Sequence, residues 1–211
     1  MSTSRLVALV FLATSAGLTL RAQYAGSWLE FAGFVTGIVG VYLVANESIW
    51  NWPVGIVNVS IYAVFFYLGK FPADAGLQIF FLILSILGWW SWLKGGTDQT
   101  ELSVSTLAPR SWGFILAAWV IGTAICYPVA KGLEGKWPFW DSFLTIGSVL
   151  AQVLVNKKKL ENWLLWIAVN TCYVPIFFYR GWYMSAVLYF IFWCLAIAGF
   201  VNWRRTLLSK A

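Results

Sequence analysis

Four sets of side chains in this chain have types and spacings that could do chemistry, and the chemistry is non-covalent recognition. Asn51, Gly55, Asn58 and Tyr62 step by four, three and four residues, so they lie along one face of a helix. Trp163, Trp166, Asn170 and Tyr173 do the same by three, four and three. A third stripe, Asp141, Thr145, Ser148 and Gln152, runs down an otherwise apolar segment, and a fourth joins Asp74, Gln78, Phe81, Ser85 and Trp89. A few convergent amides and hydroxyls among aromatic walls is what a site for a small polar molecule requires. The competing role for each residue is packing, since membrane helices use an Asn to hold a neighbour and rings to fill space. Asp74 has a second structural role open to it, at a helix N-terminus just after Pro72.

Reactive chemistry finds little support. The chain has no His, and Cys126, Cys172 and Cys194 sit in apolar segments without motif spacing, which speaks against a metal site or a disulfide framework. Neither a phosphate-binding glycine loop nor a nucleophile elbow is present. Glu30, Asp74 and Asp141 all stand near helix starts on one side, so no paired carboxylates lie deep in the chain. An enzyme is therefore not expected, and no cofactor either.

The elements that must position these residues are membrane helices. Of 211 residues 61% are hydrophobic and 10% charged, against roughly 45–50% and 25% in soluble domains. Eight apolar stretches approach the ~20 residues a span needs: 5–21, 28–46, 51–69, 73–94, 112–131, 137–156, 160–179 and 183–204. The first lacks a signal-peptidase site and is expected to be an added helix. Gly33, Gly37 and Gly40 form a small-residue ridge suited to close packing.

The chain also repeats. At an offset of 111, Glu30 matches Asp141, Gly37 matches Ser148, Leu43-Val44 matches Leu154-Val155, and Asn51-Trp52 matches Asn162-Trp163. Val57-Asn58 then answers Val169-Asn170 after a one-residue slip. The expected fold is all-α and integral to the membrane, with eight transmembrane helices. Spans two to four and six to eight form parallel three-helix repeats, because one intervening span gives both units the same orientation. The expected divisions are 1–27 for the extra helix, 28–94 for the first repeat, 95–136 for a polar loop and linker helix, 137–204 for the second repeat and 205–211 for a tail.

Lys and Arg number nine on the side of the N-terminus and five on the other, which predicts cytoplasmic termini. The net charge of +6 follows helix ends, so nucleic acid is not an expected partner.

Trp50-Asn51-Trp52-Pro53-Val54-Gly55, Ala73-Asp74 with Leu77-Gln78, Gly88-Trp89-Trp90, and the Lys-x-x-Glu-x-Trp of Lys158 to Trp163 together resemble the nicotinamide riboside transporter family PnuC. The resemblance covers about Glu30 to Trp203. It implies a 3+1+3 helix arrangement similar to the SWEET sugar transporters, a bacterial inner-membrane location, and facilitated diffusion of an unphosphorylated vitamin with trapping by a cytoplasmic kinase. It further implies a homo-oligomer, with a trimer favoured. Thiamine and riboflavin carriers share the family and stay open as alternatives, as does a substrate-binding subunit of a larger transporter. The expected ligand residues are Trp52, Asn58, Tyr62, Asp74, Gln78, Ser148, Gln152, Trp163, Trp166, Asn170 and Tyr173. Rings would face the cationic pyridinium, and amides the carboxamide and ribose.

Overall fold

The computed structural model describes residues 28–68, 72–133 and 137–209, with backbone alone for 72–74. It contains seven α-helices: α1 (Trp28–Ala45), α2 (Asn51–Leu68), α3 (Pro72–Lys94), α4 (Pro109–Gly132), α5 (Pro138–Asn156), α6 (Asn162–Tyr179) and α7 (Tyr183–Leu208). The expected span 5–21 lies outside the described residues. Proline opens α3, α4 and α5, where its missing N–H costs nothing and its fixed φ favours a first turn. Six of the seven helices are long and apolar enough to cross a membrane. The exception is α6, whose 18 residues include Asn162, Asn170, Thr171, Tyr173 and Pro175. Such a helix is tolerated in a bilayer where neighbours cover its polar face.

The packing order supplies those neighbours. Helix α1 packs on α2, α2 on α3, α3 on α5, α5 on α6, α6 on α7, and α7 back on α1, closing a ring of six; α4 stands outside on α5. Short turns of Asn46–Trp50 and Lys157–Glu161 lie together at one end of this ring, the turn end. Both turns are built alike. In the first, the Glu47 N–H donates to Val44 O (3.0 Å) and the Ser48 N–H to Leu43 O (2.9 Å); in the second, Lys158 donates to Val155 O (2.9 Å) and Lys159 to Leu154 O (2.9 Å). These are Schellman closures, with Glu47 (φ 55°) and Lys158 (φ 50°) in the left-handed position after the helix.

The largest core cluster fills the same end. It buries Trp52, Trp92, Trp163 and Trp203 with Ala45, Val104, Val155, Leu160 and Ala196. Trp52 meets Trp92 edge-on at 5.3 Å and Trp163 meets Trp203 at 5.4 Å, while Trp92 and Trp203 lie 5.9 Å apart. The indole N–H of Trp92 donates to Val155 O (2.9 Å) and that of Trp203 to Val44 O (3.0 Å), so each ring ties its own helix to a helix of the other half. Glycine makes room for the other two rings. A Cβ on Gly88 would overlap the Trp52 ring, and one on Gly199 would lie 2.5 Å from Trp163 Cζ2.

The segment 95–108, expected only as a polar loop separating the halves, is tied down. Ser105 forms a parallel bridge with Lys159: its N–H donates to Lys158 O (3.1 Å) and its carbonyl accepts from Leu160 N–H (2.9 Å). Val104 is buried in the tryptophan cluster. A β-branched apolar residue in a polar segment was the available signal for this docking.

Candidate functional site

The eleven expected residues divide according to how their polar atoms are used. Asn58 on α2 is committed to structure: its Nδ2 donates to Gly33 O (2.7 Å) and to Thr36 Oγ1 (2.9 Å) on α1. Only its Oδ1 is left to meet a ligand. Tyr62, one turn on, lays its ring into the notch of Gly33, where a Cβ would lie 2.7 Å from Tyr62 Cζ, and stacks on Phe66 at 5.9 Å. The glycine ridge of α1 thus serves close packing, as its composition predicts.

On α5 the polar stripe is also largely spent. Ser148 is buried and its hydroxyl donates to Leu144 O in its own helix (2.8 Å). Gln152 donates through Nε2 to Asn156 Oδ1 (3.1 Å), and Asn156 in turn donates to Leu84 O on α3 (2.8 Å), which makes a relay across the α3–α5 contact. Asp141, at the head of the stripe, pairs with Arg180 at 3.2 Å instead of facing a path. Asp74 lies in the first turn of α3, and its side chain is outside the described residues. Gln78, a turn further, is half-buried with no hydrogen bond to the described residues.

Helix α6 is different. Asn170 is 2% exposed and its Oδ1 is buried with no hydrogen-bond partner among the described residues. Trp163, at 1%, has a buried indole N–H in the same condition, and so has Trp52 on α2. Most buried polar groups in native proteins are paired, because leaving one unpaired costs about 1–3 kcal/mol. Helices α2 and α6, opposite each other in the ring, thus hold four such atoms among the described residues: the Trp52 and Trp163 N–H donors and the Asn162 and Asn170 carbonyls, of which Asn162 Oδ1 belongs to a side chain already tied through Nδ2 to Lys159 O (2.6 Å) at the helix start. Trp166 is half-buried between two core clusters. Tyr173 stacks on Phe177 at 5.2 Å and meets Tyr189 of α7 at 4.5 Å. Tyr189 touches Phe192, whose ring reaches Gly37 beside the Asn58 amide, so an aromatic seam joins α6, α7 and α1.

Trp92, Trp203 and Asn156 were not singled out in the sequence. The tryptophans stand near helix ends, where they read as interfacial belt residues. Their 111-residue separation, shared with Gly88 and Gly199, was the signal that marked them. Among the described residues no group of three or more metal-ligating side chains exists. Each Lys and Arg among them lies at a helix end or in a loop.

A ring of apolar helices that encloses aromatic rings and unspent amide and indole groups describes a membrane carrier for a small molecule. Residues 27–205 match the family model for nicotinamide mononucleotide transporters, and the chain belongs to that family of membrane transporters, which is not an enzyme family. It is 28% identical over 203 residues to the nicotinamide riboside transporter PnuC of Escherichia coli, covering 84% of this chain and 85% of the relative. It is 26% identical over 181 residues to the riboflavin/roseoflavin transporter RibM of Streptomyces davaonensis, with coverage of 83% and 84%. A crystal structure of the vitamin B3 transporter PnuC matches with a TM-score of 0.80 at 25% identity, over 100% of this chain and 94% of the other.

Proposed function

We propose that this chain carries nicotinamide riboside across the bacterial inner membrane by facilitated diffusion, with a cytoplasmic kinase trapping the product by phosphorylation. The observation that carries the reading is the unspent donor–acceptor set of Trp52, Trp163 and Asn170 inside an aromatic ring of helices. A pyridinium carboxamide has what that set lacks: a carbonyl to accept an indole N–H, an amide N–H to give to Asn170 Oδ1, and a cationic ring for aromatic faces. The relatives named for nicotinamide riboside favour the same ligand. A flavin also offers carbonyl acceptors and an imide N–H, and the RibM relative favours riboflavin as the second reading.

The ring supports a duplicated architecture for this site. Exchanging α1 with α5, α2 with α6 and α3 with α7 maps the packing order onto itself, and the Trp92–Val155 and Trp203–Val44 bonds exchange with it. The reading is two parallel three-helix repeats, 28–94 and 137–204, related by an axis along the membrane normal, with the ligand at their interface. Positive residues concentrate at the turn end, which favours cytoplasmic placement of that end and of both termini. Assembly as a homotrimer belongs to the same reading.

The test is transport by purified protein in liposomes. Labelled nicotinamide riboside should equilibrate down its gradient with no ATP and no ion gradient, and riboflavin should compete weakly. Uphill accumulation driven by protons or sodium, or preference for riboflavin, would overturn the corresponding part.

A further inference from the structure

The two turns at the turn end carry an unusual choice of residue. A helix that closes with a Schellman motif places its C′ residue in the left-handed region, where glycine avoids the Cβ penalty. Here that position holds Glu47 in one turn and Lys158 in the other, at φ 55° and 50°. Two residues with full side chains accept an unfavourable backbone at matching places. Their side chains account for it: Lys158 Nζ lies 3.3 Å from Glu47 Oε2, with side-chain exposures of 10% and 20%. Lys158 Nζ also sits 4.6 Å above the Trp92 ring, the centre of the tryptophan cluster.

The pair therefore spans the gap between the α1–α2 turn and the α5–α6 turn, the two halves of the ring. The ion pair at the opposite end, Asp141 with Arg180, joins α5 to the end of α6 within one half. A strap reinforces the bridged turn alone. Lys159 Nζ donates to Ser105 Oγ (2.9 Å) and to Thr106 O (3.2 Å), and the Ser105 backbone bridge described above runs alongside. Val104 and four tryptophans pack in one buried cluster beneath the joined turns.

We propose that Glu47 and Lys158 form a latch that holds the turn end shut, with the Ser105 strap fixing the Lys158 side of it. Release of the ligand at that end requires the pair to part. Both side chains keep part of their surface exposed, so each charge can turn to water as the pair parts. The proposal rests on the chain being a carrier and not on which vitamin it moves.

Alanine substitutions test it, since Glu47→Ala and Lys158→Ala keep a Cβ at each left-handed position, leave the backbone penalty in place and remove the charged end of the side chain. Hydrogen–deuterium exchange of the purified, ligand-free protein should show the Leu160 and Ser105 amides exchanging about tenfold faster in either variant, a shift of about 1.4 kcal/mol. The double variant should be no faster than the Lys158 single, because that single already loses both the ion pair and the contact with the Trp92 ring. Unchanged exchange in the singles, or effects that multiply in the double variant, would refute the latch. A second measurement locks it. In a Glu47→Cys, Lys158→Cys protein, a cleavable thiol cross-linker spanning the ion-pair distance should stop labelled nicotinamide riboside crossing liposomes, and cleavage should restore it. Wild type treated identically controls for Cys126, Cys172 and Cys194. Full transport by the linked protein would also refute the latch. Should untreated wild type fail to move the riboside, the ligand assignment falls, and the exchange measurement still decides the latch.

Discussion

Replacing Asn58 and Asn170 by leucine should have opposite consequences, because the two amides spend their hydrogen bonds differently. Asn58 Nδ2 holds α1 through two bonds, at 2.7 and 2.9 Å. At about 1 kcal/mol net for each, with the Thr36 hydroxyl and Gly33 carbonyl keeping partners within α1, Asn58→Leu should cost about 1–2 kcal/mol. For a chain of this size that is a fall of roughly 2–8 °C in the ligand-free melting temperature. Asn170 Oδ1 has no bond to lose among the described residues. Leucine of similar volume there removes a buried unsatisfied carbonyl that costs about 1–3 kcal/mol, so Asn170→Leu should leave the ligand-free melting temperature unchanged or raise it. Its effect appears on binding: losing the acceptor for the ligand's amide should weaken nicotinamide riboside by roughly ten- to a hundredfold, or about 1.4–2.8 kcal/mol. Thermal melts with and without riboside, alongside calorimetric titration, measure both quantities. The reasoning fails if Asn170→Leu melts as low as Asn58→Leu, or binds riboside with wild-type affinity.

Three further outcomes follow from the same geometry. Gly88→Val and Gly199→Val should each destabilise the protein by about 1–3 kcal/mol or prevent its expression, since the new side chains overlap the Trp52 and Trp163 rings; wild-type melting curves would contradict this. Nicotinamide mononucleotide should bind at least tenfold more weakly than the riboside in the same titrations, because every described Lys and Arg lies at a helix end or in a loop, whereas Asn170 stands in the middle of α6. Equal affinities would show that a cation reaches the site. Trp163→Phe, which keeps the ring contact with Trp203 and removes the indole N–H, should leave stability within about 1 kcal/mol and reduce riboside affinity; unchanged affinity would take this donor out of the site.

The helices were legible in the sequence because their signal is local. Apolar runs bounded by Pro, Gly and charge gave seven helices within a few residues of their observed ends, 112–131 against Pro109–Gly132 being typical. The tryptophan cluster was half legible: Trp52 and Trp163 stood out through their neighbours Asn51 and Asn162, whereas Trp92 and Trp203 needed the 111-residue comparison to be carried to the ends of their helices. What periodicity could not supply is which partner each polar atom takes. Asn58, Ser148, Gln152 and Asn170 look alike as polar residues on helical faces. A carbonyl of α1, a carbonyl of the same helix, the Asn156 amide and, for Asn170 Oδ1, no partner among the described residues are what the fold gives them in turn.

That difference separates scaffold from site more sharply than residue type does. A polar group that has found a protein partner in an apolar bundle stabilises one arrangement of helices, and a ligand that took it would have to replace what it gave up. A polar group left unpaired weakens the ligand-free protein, and the loss returns as affinity when a complementary molecule arrives. Under the proposed function the recognition atoms would be the Trp52 and Trp163 indoles and the Asn170 carbonyl, while Asn58 and the Gln152–Asn156 relay hold neighbouring helices and Ser148 bonds within its own. The same separation runs through the turn end. There the Trp92 and Trp203 indoles are spent on carbonyls of the opposite half, so the floor on which Trp52 and Trp163 rest is fixed by bonds that no ligand needs to break.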